Sequence, residues 1–200
     1  VDFHVDEGMN PALNGIEIVA DVLEKADFNG NVLCGHVCNL MNYEPARLQP
    51  LMEKLRSQNV SIGVLPATNL YLQGRTSGTP DRRGLTRIKE LNEFGINVAI
   101  GTDNVGDAFC PIGRHDPLNS LSLGVVAAHL DPPFNQWLDC ITTNASQAIG
   151  LPPTHVDGAP IDKLLITNAK NTAELIAGAM PAPQSIDSFL VEATKNQEIL

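Results

Sequence analysis

No apolar run in this 200-residue chain approaches the length of a membrane span, and no basic-then-apolar leader pattern opens it. Basic residues are scarce, 13 against 23 acidic, for a formal charge of −10. That balance argues against a nucleic-acid surface or an anionic membrane as partner. The four cysteines (Cys34, Cys38, Cys110 and Cys140) form no C-x-x-C pair and lie in or beside apolar segments. Reduced, buried thiols in a cytoplasmic protein are expected. Also missing are G-x-G-x-x-G, a P-loop, and the H-x-E with P-C-x-x-C of the zinc deaminases that act on nucleic-acid bases. No low-complexity segment or internal repeat is visible beyond an alternation of strand-like and helix-like stretches.

What is present is enough apolar material for a core, 43% of residues, and a regular alternation. VDFH at the start reads as a short strand that runs into a polar end carrying His4, Asp6 and Glu7. Asn14 and Glu17 have capping-box spacing, and Ile16, Val19, Ala20, Leu23 and Ala26 then recur at helical intervals. NVLCGH (31–36) predicts a second strand, again ending in a histidine. Pro45 opens a helix striped by Leu48, Leu51, Met52 and Leu55. VSIGVLP (60–66) predicts a third strand followed by a long loop, then a helix marked by Leu85, Ile88 and Leu91 and closed by Gly95. INVAIG (96–101) predicts a fourth strand that runs into Thr102, Asp103 and Asn104. A helix over roughly 117–130 and two shorter pieces complete the pattern to Gly150.

Four strand–helix units with Val- and Ile-rich strands indicate a parallel sheet with helices packed outside it. The polar candidates choose between a doubly wound sheet and a barrel. His4, His36 and Asp103 all fall at the carboxyl end of a strand, the catalytic face of a (β/α) barrel, and no phosphate loop accompanies them. A barrel is expected. Beyond Gly150 the character changes, with a lone strand at 162–167, a short helix at 172–176 and a further strand at 188–193.

A catalytic zinc or iron site needs a few His, Asp or Glu ligands and an open position. Each candidate also has a plain structural reading: a satisfied histidine at a strand end, a turn-capping Asp103, a solvated Glu7. Their repetition at three of four strand ends favours the functional one. His115, His129 and His155 read as loop or surface residues. Cys34 and Cys38 flank His36 but are expected in the core rather than on a metal. Arg75, Arg82, Arg83 and Arg87 form a basic patch that could grip an anion or pair with loop carboxylates.

HVDE at 4–7, GH at 35–36, LQGR…P-x-RRG-x-TR-x-KEL across 72–91 and GTDNV at 101–105 together resemble the cytosine deaminase branch of the amidohydrolase superfamily, over roughly residues 1–180 and in the family's order. The resemblance implies the C-terminal half, about four strand–helix units, of a (β/α)8 barrel. On this reading residues 1–150 are the partial barrel and 151–200 a segment of a small β-domain. It implies His4 as metal ligand, Glu7 as proton shuttle, His36 as the group orienting hydroxide or substrate, and Asp103 as metal ligand and base. Gln73 and Asn104 fall where substrate-facing residues belong. The implied activity is metal-dependent hydrolytic deamination of an amino-substituted heterocycle, cytosine or similar. One divalent ion, zinc or iron, would activate the hydroxide that attacks the amino-bearing ring carbon. A small amino-heterocycle is the expected partner, and a homo-oligomer the expected full-length state.

Two departures shape this expectation. The family's first barrel strand carries an H-x-H pair, and no two histidines here lie two residues apart. The chain is therefore expected to be the C-terminal half of a longer enzyme, with a split enzyme or a non-catalytic remnant as the other readings, and to bind metal weakly alone. Asn104 stands where cytosine deaminases carry a second Asp. An amide both donates and accepts where a carboxylate only accepts, so an N-alkylammelide-type s-triazine amine or another aminopyrimidine becomes an alternative substrate.

Overall fold

The computed structural model describes residues 1–178 and 184–190. Four strands, β1 (Asp2–Val5), β2 (Val32–His36), β3 (Val60–Val64) and β4 (Val98–Ile100), form one sheet in the order β1-β2-β3-β4. All three pairings are parallel, so every carboxyl end lies on the same edge. A parallel neighbour needs a crossover, and the sequence supplies a helix each time. α1 (Gly15–Ala26) follows β1 and α2 (Pro45–Ser57) follows β2. α3 (Pro66–Leu72) and α4 (Ile88–Glu93) follow β3, and α5 (Pro117–Ala127) follows β4.

β3 is buried along its whole length, as a strand covered on both faces must be. Against the sheet pack Ile16, Ala20 and Leu23 of α1 and Leu48, Leu51, Met52 and Leu55 of α2, each on one apolar stripe. α7 (Thr143–Ala148) and the turn at Asp139–Ile141 pack against β4, and α6 (Asn135–Leu138), which carries the buried Trp137, packs against that turn. Past Gly150, β5 (Leu165–Ile166) pairs antiparallel with β6 (Gln184–Ser185), and α8 (Thr172–Ala177) lies against α5 through Ile176.

Three local expectations change. α3 occupies the start of what reads as a long loop after β3; Pro66 at its first turn is the helix signal, outweighed by the Gly, Pro and Ser that follow. The capping box does not form. Asn14 makes no side-chain cap bond, and the Asp6 carboxylate accepts instead from the backbone N–H of Gly15 (2.8 Å) and Ile16 (2.9 Å). The strand expected over 188–193 is not one where it can be compared: residues 186–190 are helical, and 191–193 lie outside the described residues.

Candidate functional site

The shared edge of strand ends has an unusual backbone. Asp6 (φ 49°) just after β1, His36 (φ 71°) and Val37 (φ 46°) at the end of β2, and Asp103 (φ 58°) after β4 all adopt left-handed conformations. L-residues avoid this region unless the surroundings impose it, and such residues concentrate at functional sites. At β2 the reason is geometric. His4 is in register with Gly35, so a regular strand would send His36 to the opposite face from His4. The left-handed turn at His36 breaks that alternation and swings the ring back toward β1. The two rings then lie 5.0 Å apart between centroids, with His4 Nδ1 3.0 Å from His36 Nε2.

His36 is buried, whereas His4 is exposed and Glu7 half-buried. Glu7 Oε1 stands 3.8 Å from His36 Nδ1, beyond hydrogen-bond reach, and the Asn69 amide Nδ2 donates to that same nitrogen at 3.0 Å. Burial pushes the His36 pKa below the usual histidine value, opposed by the negative charges of Glu7 and Asp103 and seconded by His4. Asp103 Oδ2 is buried and has no hydrogen-bond partner. An orphaned carboxylate oxygen facing the same group of side chains is an anomaly a cation would relieve. His4 and Asp103 offer an imidazole nitrogen and a carboxylate oxygen, donors suited to zinc or iron alike. The donor chemistry fits a metal but does not complete a shell: among the described residues no three His, Cys, Asp or Glu side chains are grouped to hold an ion.

The block across 72–91 braces this site. Thr86 Oγ1 donates to the carbonyl of Val37 at 2.8 Å. Arg87 donates to the carbonyls of Leu40 (2.8 Å), Tyr43 (3.0 Å) and Met41 (3.3 Å) and pairs with Glu90. Both thus hold the segment that leaves His36. Of the other patch arginines, Arg82 donates to Asn42, Arg83 to the Leu70 carbonyl, and Arg75 stacks over Tyr71. Cys34 and Cys38 are buried free thiols.

Two residues went unnoticed in the sequence because α3 did. Thr68 and Asn69 are both fully buried on its first turn. Asn69 touches His36, and Thr68 Oγ1 accepts the backbone N–H of Asn104 at 3.1 Å, directly after Asp103. The Asn104 amide donates to Asp107 at 2.6 Å. Gln73 ends α3 and lines a cavity of about 610 Å³ between α3 and α5, with Arg75, Arg83, Arg114 and Leu123. His4, Glu7, His36 and Asp103 are not among its walls.

Comparisons with known proteins converge. The profile of the Amidohydrolase family matches residues 1–155. The pterin deaminase of Rhizobium rhizogenes is 30% identical over 180 residues, 88% of this chain and 41% of that protein. The crystal structure of 5-methylcytosine deaminase from Klebsiella pneumoniae liganded with 5-fluorocytosine superposes with a TM-score of 0.80 at 29% identity, covering 90% of this chain and 44% of that one. N-isopropylammelide isopropylaminohydrolase from Burkholderia multivorans shares the fold, with a TM-score of 0.67 at 18% identity over 90% of this chain and 43% of its own. The chain spans less than half the length of each of these relatives.

Proposed function

The chain belongs to the amidohydrolase family, its four-stranded sheet matching part of that family's barrel, and from this premise we propose that it carries part of the active site of a metal-dependent deaminase. The observation that supports the reading is the convergence of His4, Glu7, His36 and Asp103 on one edge, brought there by three left-handed strand exits. The substrate class is a flat amino-substituted heterocycle, cytosine or similar. Both 5-methylcytosine and pterin, named for two relatives, are molecules of that type.

His4 and Asp103 would hold the divalent ion together with ligands from outside these residues. When bound, such an ion supplies Lewis-acid chemistry that makes hydroxide accessible near neutral pH. Asp103 accepts the proton of the attacking water. Glu7, half-buried beside His36, protonates the ring nitrogen, so that forming the new C–O bond leaves no unshared negative charge on the ring. His36 hydrogen-bonds the oxygen that adds to the ring carbon. The C–N bond breaks as the proton held by Asp103 passes to the nitrogen, ammonia leaves, and the added hydroxyl returns its proton to Glu7 as the ring carbonyl forms. The Asn104 amide, its N–H side turned to Asp107, keeps its carbonyl oxygen as an acceptor for a ring N–H or amino group. Gln73, on the neighbouring cavity, would contact the more distant part of the substrate.

The test is ammonia release by the whole gene product, loaded with zinc or iron, from cytosine, 5-methylcytosine, isocytosine, pterin and s-triazine amines. Turnover of one of the first four, reduced about 10²–10⁴-fold by Glu7→Gln, is expected. Preference for a triazine amine would move the substrate class. No turnover of any of them, with the metal in place, would leave the non-catalytic reading.

A further inference from the structure

Asn69 has no packing reason to be polar. It is fully buried on the first turn of α3, where a leucine would fill similar space without an amide to desolvate. A buried amide is retained where its hydrogen bonds matter, and the Asn69 side chain reaches the ring of His36, its Nδ2 standing 3.0 Å from Nδ1. An amide nitrogen can only donate, so Nδ1 must accept. A neutral imidazole has one N–H, which then sits on Nε2, the nitrogen 3.0 Å from His4 Nδ1. We propose that Asn69 is a positioning residue that locks His36 in the Nε2–H tautomer, so that His36 meets the site as a hydrogen-bond donor and not as a base.

Glu7 Oε1 would favour a proton on Nδ1, but it lies 3.8 Å away and its side chain is 41% exposed, so water screens it. The reversed amide, with Oδ1 accepting from Nδ1–H, would also satisfy the ring. It would leave the amide's two N–H donors buried, whereas the observed orientation leaves the Oδ1 carbonyl without a partner. Under-satisfied carbonyls are tolerated better than orphaned N–H groups, which favours the observed orientation.

The neighbouring Thr68 extends the role of the turn. By accepting the N–H of Asn104 it fixes the left-handed exit that carries Asp103. One turn of α3 thus sets the donor on β2 and the carboxylate after β4. With His36 committed as a donor, the base is left to Asp103. The kinetic consequence rests on the deaminase reading; the tautomer does not.

The deciding measurement is a long-range ¹H–¹⁵N correlation spectrum of the histidines of the 200-residue chain at about pH 8.5, above the ordinary histidine range. The Nε2–H pattern is expected for His36, assigned by its loss in His36→Gln. Asn69→Asp, which only accepts, should move the proton to Nδ1, and Asn69→Leu should give a mixture of both tautomers. An Nδ1–H pattern in the unsubstituted chain overturns the proposal, whether or not any Asn69 variant folds. An unchanged pattern in folded Asn69→Asp overturns it as well. These spectra use neither substrate nor metal, so they can fail while deamination stands, or hold while it falls. In the active full-length enzyme, Asn69→Leu should lower kcat about 10–100-fold, as loss of a supporting hydrogen bond does, with KM little changed.

Discussion

His4 Nδ1 and His36 Nε2 stand 3.0 Å apart, and only one of them can carry the proton between them. If His36 donates, the single lone pair of a neutral His4 is already engaged. A metal at His4 must then displace this hydrogen bond, because coordination through either nitrogen needs a lone pair that His36 no longer occupies.

Zinc added to the chain should therefore shift the His4 ring resonances and break the contact between the two rings. Binding should be weak, since only His4 and Asp103 are offered as donors, and Asp103→Asn should weaken it further. His4 resonances indifferent to excess zinc would remove that residue from the ligand set.

The Asp6 carboxylate ties the exit of β1 to the start of α1 through two backbone N–H groups while only 8% exposed. Asp6→Ala should cost about 2 kcal/mol, the size of a lost cap with buried donors left unpaired. In a chain of this size that lowers Tm by about 4–8 °C. A melt unchanged within a degree would show the cap to be dispensable.

Glu17 and Arg47 form a two-pronged pair, with Arg47 Nε 2.9 Å from Oε1 and Nη2 2.5 Å from Oε2. The hydrogen bond from Arg47 holds the Glu17 pKa below its ordinary value of 4.5. A depressed carboxyl stabilises the fold above its unfolded pKa, and that contribution is lost as pH falls through the folded value. Denaturant melts at pH 7 and pH 3 should differ less in Glu17→Gln than in the parent. Both side chains are partly exposed, so the difference should be about 0.5 kcal/mol and shrink with salt. An equal difference in both proteins would assign the acid sensitivity elsewhere.

Burial raises the thiols of Cys34 and Cys38 to about 12 and that of Cys140 to about 11. Only the thiolate reacts readily, so at pH 8 these cysteines should be silent toward a disulfide reagent until denaturant is added. Rapid native-state labelling of Cys34 or Cys38 would mean that the segment around His36 opens.

Much of this was readable along the chain. Periodicities of two and of three to four residues separate strands from helices because backbone geometry dictates which side chains share a face. Short Val- and Ile-rich strands alternating with striped helices therefore announced a parallel sheet, and β1 to β4 fell within a residue or two of expectation. The candidate site residues were chosen by position, and the structure puts His36 at the end of β2, His4 one residue short of the end of β1 and Asp103 in the loop that leaves β4.

The sequence by itself determined the order of elements, the apolar stripes and the chemical types gathered on one edge, because these follow from local periodicity and side-chain chemistry. It did not reveal that Asp6 caps a helix nine residues on, that Asn69 seats His36 from 33 positions away, or that Thr68 accepts the backbone N–H of Asn104 from 36 positions away. Nor did it show that His36 must leave the strand's alternation to meet His4. Those relationships were decided by tertiary structure alone. Each depends on one backbone turn or one buried amide finding a partner from another element, and neither propensity nor spacing encodes that meeting.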